Sequence, residues 1–455
     1  MGGSLSTADL DELRNALSGE LVTPDDVHYE SLRLIHNGMV DKRPALIARC
    51  QNTADIVDAV AFGRDNGLEI SVRGGGHSVP GRCVTDGGLM IDLSAMKGIH
   101  VDPRTRRTRA QGGVTWGEYN RATHAFGVAS TGGVISTTGV AGLTLGGGVG
   151  WLMAKFGLAI DNLLSVEIVT ADGAIRTASE GEEPDLFWAV RGGGGNFGVV
   201  SSFEFQTHPL SMVLGGLIAY PFSEARTILE FCRSATAGLP DELTLFFGLV
   251  HAPNGSGEKL AAVALCHCGE LAQAEADVKP WRSLPSVMLD ALAPMPYPVV
   301  NTLLDDGYPK GARNYWKSAY VKDLSDEALD IMIDVFARAP SDMNAVLLEH
   351  SHGQATRIGA TDTAFPHREP GYNLGVFGTW LDPADDAANI AWTRESFGAC
   401  QRFVGDASYV NYLDADDGDR VRAAYGPNWS RLVELKARYD PTNLFRMNLN
   451  IPPAA

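Results

Sequence analysis

The chain is 455 residues long, a length that allows two or three domains with a substantial hydrophobic core. It carries 55 acidic residues against 37 basic ones, which gives a formal net charge of −18 without any long block of one sign. This balance argues against nucleic acid and anionic membrane surfaces as partners.

The N-terminal segment predicts neither an export signal nor a membrane anchor. Residues 1–25 lack the basic and apolar pattern of a signal peptide, and Leu10, Leu13 and Leu17 fall on one face of a short helix. No stretch of the chain is long and apolar enough to span a bilayer. A cytoplasmic location is therefore expected.

The six cysteines are scattered along the chain, which favours reduced thiols over a disulfide framework. The tripeptide Cys266-His267-Cys268 suggests a metal site, but no second pair of ligands lies at a usable spacing. Alternation of exposed and buried positions along a strand explains the tripeptide more simply. No metal is therefore expected.

Residues 45–72 predict a strand, a helix and a second strand. The apolar residues 45–50 suit a strand, Thr53 is a candidate helix cap, and the helical spacing of apolar residues ends at Gly67. The second strand, 68–72, leads into Ser71-Val-Arg-Gly-Gly-Gly-His-Ser78. A β-α-β unit places ligand contacts at the carboxyl end of its strand, and a glycine run there exposes backbone N–H groups that can bind an anion.

Two more glycine-rich segments follow, within residues 131–151 and 185–200. The short strand-like runs between 87 and 111 indicate a sheet, and a helix is predicted over 115–126. No Gly-x-Gly-x-x-Gly fingerprint opens a helix after a strand, so a nicotinamide dinucleotide site is not expected. Three glycine-rich loops in one region nevertheless predict a bound ligand.

The middle of the chain, about residues 209–406, alternates helical and strand-like patterns, which favours a two-layer α+β domain. The predicted helices span 223–237 and 325–339. The predicted strands include 243–250, 260–266, 345–349 and 374–380.

The glycine loops and the C-terminal run Tyr439-Asp-Pro-Thr-Asn443-Leu-Phe-Arg-Met-Asn448-Leu-Asn450 resemble, block for block, bacterial berberine-bridge-enzyme-like FAD-linked oxidases of the vanillyl-alcohol oxidase superfamily. The resemblance implies an α+β fold with a PCMH-type FAD-binding domain, which is discontinuous, and a substrate domain with an antiparallel sheet backed by helices. The implied boundaries are 1–208 and 409–455 for the FAD domain and 209–408 for the substrate domain.

FAD is the cofactor that the resemblance implies, attached through its 8α-carbon to His77. Many relatives add a second bond from a cysteine whose position is held here by Ile135, so a single covalent bond is expected. The residues expected to bind FAD are Arg73, Gly74, Gly75, Gly76, His77, Ser78, Thr138, Gly139, Gly142, Leu143, Gly147, Asn162, Gly198, Val200, Asn448 and Asn450.

Glu349 is the first candidate for the catalytic base, because it resembles a glutamate that relatives project toward the flavin from a strand of the substrate domain. Two apolar residues precede it, which suggests burial and a raised pKa. The competing interpretation is a structural ion pair with Arg357 or Arg368. Tyr412 is the second candidate for the base.

Thr138 corresponds to the family position that controls the access of oxygen to the flavin, and its small side chain favours oxidase behaviour. The alternative is that its hydroxyl satisfies the loop backbone. Tyr315 and Trp316 are expected to line the substrate site with Asn411, although aromatic core packing explains the two aromatic residues equally well.

The expected function is an FAD-dependent oxidase. It takes a hydride from a carbon bearing oxygen or nitrogen in a small, cyclic or aromatic substrate and reduces O2 to H2O2. Two alternatives remain open: flavin-dependent oxygenation or oxidative cyclisation in a biosynthetic pathway, and a flavin-binding protein without turnover. The expected partners are the small-molecule substrate and O2, and the protein is expected to be a monomer or homodimer.

Overall fold

The computed structural model describes residues 6–454. Residues 1–5, the start of the segment in which no export signal is predicted, and residue 455 lie outside the described part. The helices are α1 (Thr7–Ala16), α2 (Tyr29–Arg33), α3 (Thr53–Asp65), α4 (Trp116–His124), α5 (Val140–Leu145), α6 (Met153–Phe156), α7 (Pro184–Val190), α8 (Ala225–Ala235), α9 (Leu271–Arg282), α10 (Tyr297–Val300), α11 (Asp326–Ala337), α12 (Asp386–Cys400), α13 (Val421–Tyr425) and α14 (Trp429–Tyr439).

The first sheet has the strand order β1-β2-β4-β3. Its strands are β1 (Glu20–Val22), β2 (Leu46–Arg49), β3 (Ile70–Arg73) and β4 (Leu89–Asp92). Strands β2 and β3 both run parallel to β4, with α3 as the crossover, so the first glycine loop begins at the carboxyl end of β3 as predicted. The prediction that Thr53 caps α3 is wrong. The cap is Asn52, whose side chain accepts from the Asp55 N–H, and the Thr53 hydroxyl instead donates to Glu167 at 2.7 Å.

The second sheet is antiparallel, which confirms the prediction of a sheet in this region. Its strand order is β5-β6-β10-β8-β9, and β7 pairs separately with β11. These strands are β5 (Ile99–Asp102), β6 (Arg107–Gln111), β7 (Val128–Ala129), β8 (Leu163–Val169), β9 (Ile175–Ser179), β10 (Val199–Gln206) and β11 (His208–Pro209). A capping box between Thr115 and Glu118 begins α4, which carries the chain to the second glycine segment.

The third sheet contains eight antiparallel strands and confirms the α+β pattern predicted for the middle of the chain. Its main order is β15-β12-β14-β13-β18-β19-β17, with β16 also paired to β12. The strands are β12 (Met212–Pro221), β13 (Leu243–His251), β14 (Lys259–His267), β15 (Leu289–Asp290), β16 (Ala293–Pro296), β17 (Arg313–Val321), β18 (Ala345–Ser351) and β19 (Gly371–Trp380). Helices α8, α11 and α12 share one apolar core with this sheet.

Cys266, His267 and Cys268 are all buried, so the predicted alternation of exposed and buried positions is wrong. The reason is that β14 lies between β12 and β13 and packs into a different apolar core on each face, with Cys266 and Cys268 in one core and Leu265 in the other. The His267 ring pairs with Asp277 at 2.9 Å. Within residues 6–454, no group of three or more His, Cys, Asp or Glu side chains is arranged to hold a metal ion.

The C-terminal helices return to the N-terminal part of the chain. Lys436 on α14 is fully buried and donates hydrogen bonds to the Asn196 carbonyl and to Asp440, at 2.7 and 2.5 Å. This contact brings the C-terminal run that follows α14 against the third glycine segment. None of the helices in the described part is long and apolar enough to cross a membrane.

Candidate active site

The three glycine-rich segments converge on one cavity of about 290 Å³, together with the C-terminal run and the segment around Tyr412. Twelve of the sixteen residues expected to bind FAD line it. These are Gly74, Gly75, Gly76, His77, Ser78, Thr138, Gly139, Gly142, Leu143, Gly198, Val200 and Asn448.

Bare backbone forms the cavity wall at the first two glycine segments. A Cβ atom on Gly75 would lie 2.5 Å from the backbone of Gly139, and one on Gly139 would lie 2.5 Å from the Gly75 nitrogen. Only glycine allows the two loops to approach this closely. A Cβ atom on Gly142 would meet nothing within 4 Å, so side-chain atoms there would enter the cavity. These residues therefore fit an extended ligand bound by backbone N–H groups.

Two predicted FAD ligands, Arg73 and Gly147, are directed away from this cavity. The Arg73 guanidinium forms a buried ion pair with Asp92 at 2.5 Å and so fixes the end of β3. Gly147, with φ of 123°, approaches Phe365 so closely that a Cβ atom would lie 2.7 Å from the phenylalanine ring. Both residues shape the loops and do not line the cavity.

The other two predicted ligands outside the cavity lining are asparagines. The Asn162 amide donates to the carbonyls of Phe156 and Leu158, each at 2.9 Å, and braces the turn before β8. Asn450 follows the lining residue Leu449, and its buried Oδ1 has no hydrogen-bond partner. An orphaned buried acceptor beside the cavity fits an additional polar ligand.

His77 lies at the cavity wall as a half-buried, neutral imidazole. Its ring stacks on His36 with the centroids 3.7 Å apart, and its Nε2 is 3.0 Å from the Thr137 hydroxyl oxygen. Burial, with a smaller effect from His36, lowers the pKa of His77 to about 3. The ring therefore keeps a nitrogen lone pair at neutral pH. Ile135, at the family's second attachment position, also lines the cavity.

Tyr412 and Glu349, the two candidate bases, form one hydrogen-bonded pair. The Tyr412 hydroxyl donates to Glu349 Oε1, and the Asn373 amide donates to Oε2, both at 2.7 Å. Glu349 on β18 is paired directly with Asn373 on β19, which sets the second contact. Tyr412 lines the large cavity, whereas Glu349 lies one hydrogen bond away and lines a separate void of about 10 Å³.

Burial shifts the pKa values of both members of this pair upward. Desolvation raises the pKa of Glu349, and the hydrogen bonds from Asn373 and Tyr412 oppose that shift. Burial, followed by the negative charge of Glu349, raises the pKa of Tyr412 well above its ordinary value. The phenol is therefore protonated at neutral pH, and the carboxylate is the acceptor of the pair.

The alternative that Glu349 forms a structural ion pair with Arg357 or Arg368 is wrong. Arg357 pairs with Asp241 at 2.5 Å, and Arg368 pairs with Asp161 at 2.8 Å. The Arg368–Asp161 pair is buried and braces the segment that follows Pro366.

Thr138 is half-buried and lines the cavity. Its carbonyl accepts from the Trp116 N–H at 2.9 Å, whereas its hydroxyl makes no hydrogen bond to any residue in the described part of the chain. The alternative role, in which the hydroxyl satisfies the loop backbone, is therefore absent from this structure.

Trp316 and Asn411 line the cavity, as expected of substrate-lining residues, but Tyr315 does not. Adjacent residues of a strand point to opposite faces, and the Tyr315 hydroxyl donates to Asp416 at 2.6 Å on the other face of β17. Asn411 donates to the Leu143 carbonyl at 3.2 Å and so ties the Tyr412 segment to α5.

The sequence analysis missed Asn373, which binds Glu349, and Tyr308, which supports a residue of the cavity wall. Tyr308 packs edge-to-face on Trp316 with the centroids 5.7 Å apart, and Trp316 makes a similar contact with Tyr412 at 5.8 Å. Tyr308 lies in a region without a strong pattern, and Asn373 joins the site through strand register. Neither position carries a signal in a single sequence.

The chain is similar to known FAD-linked proteins. A family profile described as "FAD binding domain" matches residues 44–179, and one described as "Berberine and berberine like" matches residues 408–452. The (R)-6-hydroxynicotine oxidase of Paenarthrobacter nicotinovorans is 33% identical over 460 residues, covering 96% of this chain and 97% of the relative. An FAD-linked oxidoreductase of Dictyostelium discoideum is 29% identical over 90% of this chain and 89% of its own length.

Solved structures give the same result and confirm the predicted PCMH-type fold. The crystal structure of 6-hydroxy-D-nicotine oxidase from Arthrobacter nicotinovorans matches with a TM-score of 0.89 and 31% identity, over 99% of this chain and 100% of that one. A berberine-bridge-like enzyme of Physcomitrella patens matches with a TM-score of 0.87 at 22% identity, over 98% and 100% of the two chains, which shows the fold alone. This chain belongs to the berberine-bridge-enzyme-like family of FAD-linked oxidoreductases.

Proposed function

We propose that this protein is an oxidase that removes a hydride from a carbon bearing oxygen or nitrogen in a small, cyclic or aromatic substrate. The observation that carries the proposal is the Tyr412–Glu349 pair, a phenol at the cavity wall backed by a buried carboxylate. When bound, FAD accepts the hydride and passes its two electrons to O2, which yields H2O2.

Tyr412 and Glu349 handle the proton that the substrate must lose with the hydride. The Tyr412 oxygen takes the proton from the substrate O–H or N–H while its own proton passes to Glu349 Oε1, 2.7 Å away. The pKa of Glu349 is raised toward neutral pH, which makes this carboxylate a better proton acceptor than an exposed one. The void of about 10 Å³ beside Glu349 is the size of one water molecule, which can carry the proton onward.

The chain supplies the cofactor with a backbone cradle and a side-chain anchor. In this proposal, residues 1–208 and 409–455 form the FAD domain, and residues 209–408 form the substrate domain. The loops that meet at Gly75 and Gly139 bind the pyrophosphate, Gly198 and Val200 lie near the adenine, and the C-terminal asparagines contact the ring. Six free cysteines support a reducing, cytoplasmic setting.

His77 is proposed to carry FAD covalently through the 8α-carbon. Its neutral imidazole nitrogen supports this role. Ile135 stands where many relatives have a second attachment residue, a cysteine, and isoleucine cannot form that bond, so His77 is the single attachment point in this proposal. Acid precipitation tests the bond: the yellow colour should stay with the wild-type pellet and move to the supernatant for His77→Ala. Colour in the wild-type supernatant would refute the covalent bond and leave the oxidase proposal standing.

Cyclic substrates are favoured by the aromatic rings of Trp316 and Tyr412, which pack edge-to-face at the cavity wall, and by similarity to an enzyme named for the oxidation of 6-hydroxynicotine. A panel of cyclic amines and aromatic alcohols should include compounds that bleach the flavin absorbance under nitrogen. The same compounds in air should release one H2O2 per substrate oxidised. Oxygen consumption without peroxide would instead indicate oxygenation, and a flavin that no compound bleaches would indicate a protein without turnover.

A further inference from the structure

Arg82 places a guanidinium at the wall of the FAD cavity without a carboxylate partner. Its Nη1 donates to the Asn448 carbonyl at 2.8 Å, and its Nη2 donates to the Asp414 carbonyl at 3.4 Å. Its Nε is buried and has no hydrogen-bond partner. No carboxylate oxygen within residues 6–454 lies in ion-pair distance of this group.

Arg82 is a half-buried cation that lines the cavity and is held only by carbonyl groups. The buried guanidiniums of Arg73 and Arg368 are each matched by a carboxylate, Asp92 and Asp161 respectively. At Arg82, desolvation is the main influence and lowers the pKa of the guanidinium, and the carboxylates of Asp414 and Asp417, which lie beyond ion-pair distance, offset only part of that shift. A desolvated charge without a counter-ion costs folding free energy, so a compensating anion is expected in the liganded protein.

The contacts of Arg82 locate it at one end of the cavity. One of its carbonyl partners, Asp414, lies two residues after Tyr412, and the other belongs to the cavity residue Asn448. Its own backbone N–H donates to the Ser78 hydroxyl, next to His77. The guanidinium is thus close to the segments that carry the proposed base and the proposed flavin anchor.

We propose that Arg82 balances the negative charge that the flavin ring of bound FAD acquires with the hydride. The inference rests on the proposed function. An oxidised ring is neutral, so the addition of H⁻ leaves one negative charge on it, while the substrate proton goes to the Tyr412–Glu349 pair. A fixed cation at this end of the cavity lowers the free energy of that charged product without making a bond to the substrate.

Sulfite provides a test that needs no substrate. It adds reversibly to oxidised flavins, brings one negative charge to the ring and bleaches the flavin absorbance. Arg82→Gln removes the positive charge and keeps an amide that can donate to a carbonyl, whereas Arg82→Lys keeps the charge. Sulfite should bind at least about tenfold more weakly to Arg82→Gln, and Arg82→Lys should recover most of that loss. The reduction potential of the flavin should fall in parallel, by about 30 mV for each tenfold loss in stabilisation of the reduced form, since two electrons are transferred.

Arg191 provides a matched control. It is also a half-buried arginine whose guanidinium donates to a carbonyl, that of Asp362 at 3.3 Å, and it does not line the cavity. Arg191→Gln should leave the sulfite affinity unchanged.

Two results would overturn the inference. Sulfite affinity in Arg82→Gln equal to that of the wild type would show that the ring does not sense the charge. A loss of FAD from Arg82→Gln, with unchanged sulfite affinity in the fraction that retains FAD, would assign Arg82 to the phosphates. FAD content is measured before sulfite is added, so the two proposals can be told apart. A wild-type protein that contains no FAD would refute the proposed function and not the role of Arg82.

Discussion

The two ends of the cavity are built from different parts of the polypeptide. The cradle, loops 74–78 and 139–146, presents backbone, and the contact of Gly75 with Gly139 leaves no room for a Cβ atom on either residue. The reaction end, formed by Tyr412, Glu349 and Asn373, presents side chains joined by hydrogen bonds of 2.7 Å. The cradle is therefore sensitive to added atoms, and the reaction end is sensitive to atoms removed.

The largest expected effect comes from adding atoms to the cradle. Gly142→Leu should abolish FAD binding while the protein stays folded, because a Cβ atom there meets no protein atom within 4 Å and the rest of the side chain would enter the cavity. The measurements are flavin absorbance per protein and the thermal unfolding midpoint of the apoprotein.

Gly398→Leu is the control for this change. Gly398 is another helical glycine at which a Cβ atom would meet nothing within 4 Å, but it lies on the exposed side of α12, away from the cavity. It should load FAD as the wild type does. Normal FAD content in Gly142→Leu would mean that the cofactor does not occupy the space beside α5.

This contrast also explains which parts of the site the sequence predicts. Glycine runs are a local pattern, and twelve of the sixteen predicted cofactor residues line the cavity because each loop of the cradle is a short run of neighbouring residues. The reaction end has no such pattern, since Tyr412 and Glu349 are 63 residues apart and meet only through the fold. Single-sequence reasoning found both residues as alternatives and did not predict that they are partners.

Side-chain direction accounts for the other differences. Tyr315 and Trp316 are neighbours in β17, and no sequence pattern indicates which of them faces the ligand. Arg73 belongs to the glycine loop, but its guanidinium is held by Asp92 on the neighbouring strand β4. Elements were predicted more reliably than the contacts of their side chains, because contacts depend on register and on distant partners.

The second largest effect is expected from removing one oxygen at the reaction end. Tyr412→Phe should lower the rate of anaerobic flavin bleaching by about 10² to 10⁴, the usual contribution of a general base. FAD content should stay normal because the phenol does not contribute to the cradle. Stopped-flow absorbance under nitrogen provides the rate.

Tyr439→Phe is the control for this change, since Tyr439 also donates to a carboxylate, Glu183 at 2.7 Å, but does not line the cavity. It should leave the bleaching rate unchanged. A Tyr412→Phe variant as fast as the wild type would exclude the phenol from the proton path.

Glu349→Gln should have a smaller effect, about 10²-fold, at the low end of the same range, because the phenol still contacts the substrate. Burial raises the pKa of Glu349, and only its ionised form accepts the Tyr412 proton. The wild-type bleaching rate should therefore rise with pH through that pKa and then level off. Glu349→Gln cannot titrate, so this part of the pH profile should disappear.

The stability of Glu349→Gln gives an independent check. A raised pKa means that the folded protein holds this proton more tightly than the unfolded chain does. The contribution of Glu349 to stability therefore falls as pH rises from its unfolded pKa to its folded pKa, and glutamine avoids that loss. The unfolding midpoint of Glu349→Gln at pH 8 should be no lower than that of the wild type, and a clear decrease would mean that the carboxylate stabilises the fold.

The smallest expected effect concerns Thr138, which lines the cavity directly before the cradle loop 139–146. Thr138→Leu should slow the reoxidation of reduced flavin by O2 severalfold and leave anaerobic bleaching nearly unchanged, because the larger side chain narrows the space at the cavity wall. Thr138→Val keeps the volume and removes the hydroxyl, which has no partner among the described residues, so it should behave as the wild type. Equal slowing of flavin reduction and reoxidation in Thr138→Leu would instead mean that the cradle is distorted. Slow reoxidation in Thr138→Val would show that the hydroxyl, rather than the size of the side chain, governs the oxygen reaction.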